Sequence, residues 1–520
     1  MTTRNHERMN SVDTAWLRMD GPGNSMMIVG VSATATPIRP DDFRRMIEQR
    51  LLCFSRFRHR PVPDALGASW VEDQEFDLDA HVKTVVLPEP AGKAQLEKLA
   101  AELASTPLDP RRPMWQLHLV ERYNGGSAWI TRVHHCYADG IAMLRVVLSM
   151  TEQDPGPALG ARRAPGKTAN RQQRGADVLP VLSWVEQIAQ PAEDILENAL
   201  AEGARLLEGG IHQLFHPDRI ANLATQAGGM AGEFGRVLVL PDDPDTPLRG
   251  PLSGYKAVAW GTPIPLHEVK AVGKALGCTI NDVLMSTVAG ALGGYLRERG
   301  FATDDLKVRS MVPVNLRAAD EPLTLGNRFG LVFVEMALGI ENPLQRVYAM
   351  ADTMRALKGS MQPPMTLMTL ALMGMMPAAV QAPAIELFSR KATAVVSNVP
   401  GPQAPLYMCG QRVSEMYFWV PQSGTIGLGI SILSYAGQVY FGMISDRKLV
   451  KVPDEVVARF APEFEKLLLA ATVGALAQRD RGRRGTKAAA KAAGKKPKTS
   501  VKRASRKPAR GKRARPAANT

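Results

Sequence analysis

The seven residues HHCYADG at positions 134–140 are the most informative stretch of this chain. They follow an apolar segment (128–133, AWITRV) that is typical of a β-strand and precede an apolar segment (141–150) with helical periodicity. The stretch is therefore predicted to form a strand-to-helix turn, where side chains can project into a cleft. Because successive side chains of an extended chain point to opposite faces, His134 and His135 are not expected to share one task.

This alternation argues against a zinc site and against a cysteine nucleophile activated by histidine. A zinc site would need both histidines on one ion, and a Cys136 nucleophile would need His135 beside it as its base. The four cysteines are scattered, without a CxxC pair. This spacing argues against structural zinc and against a secreted disulfide scaffold, so no metal site is expected.

The surrounding sequence divides into four parts. Residues 1–152 and 251–477 alternate strand-like and helix-like patterns, which predicts two α/β halves. Residues 153–250 begin as a Pro-, Gly- and Arg-rich linker and continue as a helix-prone crossover. Residues 478–520 form a basic tail. In the second half a helix is predicted from Asn281, which would be a good N-cap.

Residues 364–388 are apolar, without a charge until Glu386, and rich in methionine. A transmembrane helix needs about 20 apolar residues without a break, and two prolines, Pro377 and Pro383, interrupt this segment. A buried core helix is therefore expected rather than a membrane span. The flexibility of methionine also suits a pocket for acyl chains.

The net charge of +14 is concentrated in the tail. Residues 478–520 hold 17 Lys and Arg and one acid, which leaves the rest of the chain at about −2. The tail lacks the apolar residues of a core and is expected to be disordered. An anionic membrane or lipid-droplet surface is its favoured partner, with nucleic acid and a merely solubilising role as alternatives. The polar N-terminus has no signal-peptide pattern, so a cytoplasmic protein is expected.

The HHCYADG stretch matches the HHxxxDG motif of the CoA-dependent acyltransferase superfamily, and the chain resembles its bacterial wax ester synthase/diacylglycerol acyltransferase branch. The resemblance covers roughly residues 9–472. In place of the proline-leucine-tryptophan motif, this chain has Pro113-Met114-Trp115. The other matching segments are SVDTAWL (11–17), NDV (281–283), PVNLR (313–317), GNRFG (326–330) and SNVPGP (397–402).

The resemblance implies two halves like chloramphenicol acetyltransferase, with mixed sheets and a channel at their interface. It implies an acyl-CoA-dependent O-acyltransferase that esterifies diacylglycerol, a long-chain fatty alcohol, or both, with acyl-CoA as substrate and no cofactor. His135 corresponds to the general base, which would take the proton of the alcohol as it attacks the thioester. Histidine suits this task because its ordinary pKa is ~6.5. No covalent acyl-enzyme is expected.

The remaining motif residues are interpreted as supports or donors. The family's aspartate, Asp139 here, pairs with an arginine to hold the loop, and the sequence leaves that arginine unidentified. His134 either supports the site or is a buried structural histidine. Ser397 and Asn398 are candidate oxyanion or substrate donors, or hold a turn. Asn281 either caps its helix or reaches the active site.

Two alternatives remain beside this function. A peptide-synthesis condensation domain shares HHxxxDG, but this chain has no adenylation or carrier modules. A weakly catalytic or non-catalytic lipid-binding protein could coat lipid droplets, tethered by the basic tail. The expected location for the enzyme is cytoplasmic, with peripheral association to membranes or lipid droplets.

Overall fold

Strand β7 (Gly126–His134), which ends at the histidine pair, is an inner strand of a six-stranded sheet. The structure, a computed structural model, describes residues 6–153 and 240–474, apart from positions 22, 24, 65–66, 318–323, 359, 361 and 376–377. Most of the predicted linker and crossover (154–239) and the predicted tail (478–520) lie outside the described residues.

The first sheet has the order β13-β14-β2-β7-β6-β5, and its neighbours pair antiparallel except β5 with β6. The hairpin from β6 to β7 turns through Asn124 and Gly125, both with positive φ, where the sequence predicts a turn. The other strands are β2 (Met27–Thr34), β5 (Val82–Val86), β6 (Trp115–Tyr123), β13 (Tyr407–Met408) and β14 (Gln411–Trp419).

The second sheet has the order β11-β10-β12-β15-β16-β8, with β9 also paired to β16. Strand β12 runs parallel to both β10 and β15, and the other pairs are antiparallel. Its strands are β8 (Lys256–Trp260), β9 (Ile264–Pro265), β10 (Lys307–Asn315), β11 (Phe329–Ala337), β12 (Ala394–Pro400), β15 (Leu428–Tyr435) and β16 (Gln438–Asp446). A small sheet contains β1 (His6–Arg8), β3 (His59–Asp64) and β4 (Gly67–Glu72).

The sequence pattern predicts no strand over β14, Gln411–Trp419. It belongs by sequence to the second half, yet it pairs with β2 of the first half from Val29 opposite Trp419 to Thr34 opposite Val413. Main-chain hydrogen bonds therefore join the two halves. The boundaries predicted at 152 and 251 remain predictions.

The helices surround these sheets, and α1 packs against α9. The sequence predicts one final helix over Pro453–Ala471, but the structure has a turn at 458–459 between α11 and α12. The helices are α1 (Ser11–Met19), α2 (Pro40–Met46), α3 (Leu78–His81), α4 (Lys93–Ser105), α5 (Gly140–Met150), α6 (Leu266–Leu276), α7 (Ile280–Glu298), α8 (Pro343–Leu357), α9 (Gln362–Met375), α10 (Ala378–Ser389), α11 (Asp454–Val457) and α12 (460–474).

Helix α7 begins at Ile280, one residue before the predicted start, and its N-cap is Thr279 rather than Asn281. The Thr279 hydroxyl accepts from the Asp282 N–H at 3.1 Å, and the Asp282 carboxylate accepts from the Thr279 N–H at 2.7 Å. This reciprocal capping box satisfies the helix end. It leaves the Asn281 side chain available for other contacts.

The apolar segment 364–388, predicted as a core helix, is described as two helices, α9 and α10. The first is described as far as Met375 and the second from Ala378. Among the described helices, no single one is long and apolar enough to cross a bilayer, while α6 and α7 together are, as a pair bent by 101°.

Candidate active site

A cavity lies between the turn after β7 and one face of the second sheet. Residues of three neighbouring strands form its floor, and most of them alternate along the strand as its two-residue period predicts. On β10, Asn315, Pro313 and Met311 lie opposite Phe329, Leu331 and Phe333 of β11. Strand β12 contributes Val395, Ser397 and Val399, and helices α9 and α10 contribute Thr366, Thr369, Leu370, Met373, Ile385 and Phe388.

His135 faces this cavity. Its ring stacks on Trp16, with centroids 4.2 Å apart and planes at 21°, and lies 5.7 Å from the Phe329 ring. Burial disfavours the charged imidazolium and lowers the pKa of His135 to about 4, and the charge of Asp139 only partly opposes this shift. At neutral pH the imidazole is therefore uncharged and retains a nitrogen that can accept a proton.

His134 turns into the protein interior, as strand alternation predicts. Its Nδ1 accepts from the Cys136 N–H at 3.2 Å, and its Nε2 lies 3.9 Å from an Asp20 carboxylate oxygen. Burial, together with the neighbouring His135, lowers the pKa of His134 to about 3. Among the described residues, those that line the cavity include His135 but not His134. The two histidines therefore have different surroundings, and a supporting role for His134 remains a prediction.

Cys136 is buried in the same turn. Burial raises the pKa of its thiol well above the ordinary value. The thiol is thus held in its less reactive protonated form. In the described ranges, no three His, Cys, Asp or Glu side chains cluster as a metal site would require.

Asp139 is paired with Arg317, which identifies the arginine that the sequence left open. The Arg317 guanidinium donates to Asp139 Oδ2 and, at 2.7 Å, to the Gly326 carbonyl. The Arg328 N–H also donates to Asp139 Oδ2, at 2.9 Å, while Asp139 Oδ1 caps α5 by accepting from Ala142 N–H at 2.9 Å. These bonds engage both carboxylate oxygens and tie the histidine turn to the second half.

The three predicted donors meet at the same cavity as His135. Ser397 and Asn398 lie on β12, and Asn281 lies in the first turn of α7. Asn398 Nδ2 donates to Asn281 Oδ1. That bond uses the Asn281 oxygen and leaves its amide N–H groups for another acceptor.

Three residues around His135 received no individual role from the sequence. Trp16 stacks on the imidazole, and Asn327 donates to the His135 carbonyl at 2.7 Å and to Asp13 at 2.8 Å. The signal that could have found them is their position inside two quoted segments, SVDTAWL and GNRFG.

Comparisons with known proteins identify the family of this chain. A family model described as the wax ester synthase/diacylglycerol acyltransferase catalytic domain matches residues 9–284, and the WS/DGAT C-terminal domain matches 325–468. One Mycobacterium tuberculosis protein named as a diacylglycerol O-acyltransferase is 30% identical over 483 residues, covering 89% of this chain and 97% of that protein. Another from the same species is 27% identical over 459 residues, covering 85% and 91%.

Two solved structures share the fold. The wax ester synthase/diacylglycerol acyltransferase from Marinobacter aquaeolei VT8 matches with a TM-score of 0.61 and 22% identity, covering 89% of this chain and 99% of that one. The first condensation domain of the calcium-dependent antibiotic synthetase matches with a TM-score of 0.55 and 15% identity, covering 90% and 96%. The predicted α/β fold with mixed sheets is thereby confirmed.

Proposed function

Because the chain belongs to the wax ester synthase/diacylglycerol acyltransferase family and is an acyl-CoA-dependent acyltransferase, we propose that His135 is its general base. We propose diacylglycerol, a long-chain alcohol, or both as the acceptor. The observation that carries this proposal is a buried imidazole that faces an apolar cavity lined by three polar donors.

In the proposed reaction, the neutral imidazole of His135 takes the hydroxyl proton as the alcohol oxygen attacks the thioester carbonyl. The carbon–oxygen bond forms, the carbon–sulfur bond breaks, and the imidazolium returns its proton to the departing CoA thiolate. The burial that lowers the pKa of His135 makes its imidazolium a ready proton donor for that last step. The transfer is direct, without a covalent acyl-enzyme.

The oxyanion of the tetrahedral intermediate needs hydrogen-bond donors, each typically worth ~10²–10³ in rate. Asn281, with its oxygen engaged by Asn398, has N–H groups to offer, and Ser397 has a hydroxyl on the same cavity wall. We assign these two residues as the candidate donors. Asn398 orients Asn281 in this scheme.

The cavity floor supports a long-chain substrate. From Phe329 beside His135 to Phe333, the β11 side chains on this face span four residue steps, ~13 Å at the usual rise of a strand. Met311 on the floor and Met373 on the roof are flexible side chains that adapt to chains of different shape. A fatty acyl or alkyl chain fits this surface better than a small polar acceptor.

The test is an ester-forming assay with purified protein and labelled palmitoyl-CoA, offering diacylglycerol and hexadecanol separately. We expect an ester with at least one alcohol, and its loss in His135→Ala. The matched control is His118→Ala, since His118 is also a buried histidine whose pKa burial lowers to about 4, but it lies on β6 outside the cavity lining. If the folded protein makes no ester from either alcohol, the proposed substrates are wrong, and if His135→Ala stays active the proposed base is wrong.

The proposed partners beyond the substrates involve the tail. We propose that residues 478–520, with 17 basic residues, bring the enzyme to an anionic membrane or lipid-droplet surface, where both lipid substrates reside. Nucleic acid remains the alternative partner. No cofactor is proposed.

A further inference from the structure

Helix α1 approaches His135 with two buried side chains that lie three positions apart and therefore on one helix face. Asp13 is fully buried, and Trp16 is 8% exposed and stacks on the imidazole. Asn10 is the N-cap of the helix, and its side chain accepts from the Asp13 N–H at 2.7 Å and donates to Asp13 Oδ2 at 2.7 Å. This cap fixes the start of the helix and the Asp13 carboxylate together.

Asn327, from the loop before β11, connects Asp13 to His135. One N–H of its amide donates to Asp13 Oδ1 at 2.8 Å and the other to the His135 carbonyl at 2.7 Å. A flipped amide would place its oxygen against two acceptors, so only the observed orientation is favourable. The Asn327 main-chain N–H also donates to Asp13 Oδ1, at 2.9 Å, which makes the carboxylate the anchor of the amide.

We propose that Asp13, acting through Asn327, is a positioning residue for His135. The carboxylate orients the Asn327 amide, the amide holds the His135 carbonyl, and Trp16 supports the imidazole from the same helix. The proposal rests on the role of His135 as the base. It assigns to the buried aspartate of SVDTAWL a task in catalysis without contact to substrate.

The geometry around His135 explains why such a link matters. The His135 N–H donates to the Met26 carbonyl at 2.7 Å, so that Met26 and Asn327 hold the two polar main-chain groups of this one residue. A general base must lie within hydrogen-bond reach of the proton that it takes. A misplacement of about 1 Å can cost 10²-fold in rate.

The second half of the molecule determines where α1 lies. Gln381 Nε2 donates to the Ala15 carbonyl at 2.9 Å, and a Cβ at Gly374 would stand 1.7 Å from the Ser11 carbonyl oxygen, so α9 approaches α1 backbone to backbone. Gly326, with φ +110°, lets the loop that carries Asn327 pass beside Asp13. The network thus joins His135 to elements of both halves.

Asp13→Asn tests the proposal, since it keeps the shape and removes the carboxylate acceptor that anchors the amide. We expect kcat to fall at least tenfold, with KM and acyl-CoA affinity within twofold of wild type, because the substrates do not touch Asp13. Asn327→Ala should lower kcat similarly. The kcat of the double variant should be no lower than that of the less active single variant, because both changes break the same series of contacts from Asp13 to His135.

Glu97→Gln is the matched control. Glu97 is also a buried carboxyl that accepts a main-chain N–H of the other half, from Trp260 at 3.1 Å, but it lies outside the cavity lining. It should lose thermal stability while keeping the wild-type kcat. If Asp13→Asn keeps the wild-type kcat, or if the two single losses multiply in the double variant, the positioning role is overturned.

A milder variant covers the case in which Asp13→Asn does not fold. Asn10→Ala removes the exposed N-cap that bonds Asp13 Oδ2 and leaves the contacts between Asp13 and Asn327 in place, and it should lower kcat several-fold at unchanged KM. An unchanged kcat in folded Asn10→Ala and Asn327→Ala would overturn the proposal. Failure of the proposed function would instead show in His135→Ala, whose activity would then persist.

Discussion

Asp139 and Arg317 form a buried ion pair that joins the turn after β7 to the end of β10, 178 positions apart in sequence. Their side chains are 4% and 2% exposed. An aspartate four residues after a catalytic histidine suggests a catalytic triad, yet both Asp139 oxygens are engaged by other groups: Arg317, the Arg328 N–H and the Ala142 N–H. The pair therefore has a structural role: it connects the two halves and fixes the position of the histidine turn.

Arg317→Met should be strongly destabilising because it leaves the Asp139 carboxylate buried without its counter-charge. Removing one partner of a buried pair typically costs about 3–5 kcal/mol, whereas replacing both by apolar groups can be nearly neutral. Urea unfolding should therefore show a large loss for Arg317→Met and a partial recovery when Asp139→Asn is added. Arg299→Ala, which breaks the exposed pair with Glu455, should cost about 1 kcal/mol or less. A similarly small loss in the free energy of unfolding for Arg317→Met would contradict the structural role of the ion pair.

In the pH profile of kcat/KM, the decline on the acid side should lie well below pH 6.5. It reports the pKa of the essential base in the free enzyme, and burial lowers the pKa of His135 to about 4. Activity should thus be flat from pH 8 to pH 6 and decline as the pH approaches 4, because protonation removes the base. Between pH 6.5 and 4 this shift makes His135 bind more protons in the unfolded state than in the native state, so the contribution of His135 to stability falls there. Burial raises the pKa of Asp13 to about 6, and its contribution changes in the opposite direction. Circular dichroism at each pH separates the two effects, and a decline at pH 6.5 or above would contradict the assigned base.

Asn281→Ala should lower kcat by about 10²–10³-fold, the usual cost of one lost oxyanion donor. The matched control is Thr279→Ala at the same end of α7, which removes the helix cap and costs about 1 kcal/mol of stability. Steady-state kinetics should find kcat nearly unchanged in this control. Equal kcat values for the two variants would assign Asn281 a structural role only.

Val395→Phe should shorten the chains that the enzyme accepts. Val395 lies beside Met311 at the far end of the cavity floor, so a larger side chain there obstructs long chains and spares short ones. We expect kcat/KM for the long-chain substrate to fall at least tenfold relative to a short-chain one. Varying the acyl and alcohol chains separately identifies which of them lies on this floor. Val396→Leu, one position along and on the opposite strand face, should change stability without changing this ratio.

Removal of residues 478–520 should abolish binding to anionic vesicles. Each Lys or Arg near such a surface contributes about 1 kcal/mol, and the tail holds 17 of them. Sedimentation with phosphatidylserine vesicles should therefore pellet the full chain at low salt and leave the truncated chain in solution. Neither chain should bind zwitterionic vesicles. Retained binding after truncation would assign the lipid surface to another part of the chain, and tighter binding to DNA than to vesicles would favour the nucleic-acid alternative.

Local features of the site follow from the sequence, and one local prediction was wrong. The strand before HHCYADG, the helix after it and the opposite directions of His134 and His135 all follow from backbone periodicity. Asn281 was misassigned as a helix cap because Thr279, two residues earlier, competes for that position and wins through its reciprocal bonds with Asp282. A propensity for capping does not decide between neighbouring candidates.

The chemical parts can be read from the residues in order: a histidine pair at the end of a strand, the succession of motif segments and the basic tail. The tertiary structure decided which distant parts meet. It paired Asp139 with Arg317, linked Asp13 to His135 through Asn327, and inserted β14 beside β2. Alternation along a strand is dictated by covalent geometry within a few residues. Contacts between residues more than a hundred positions apart exist only once both sheets have packed, and no local pattern encodes them.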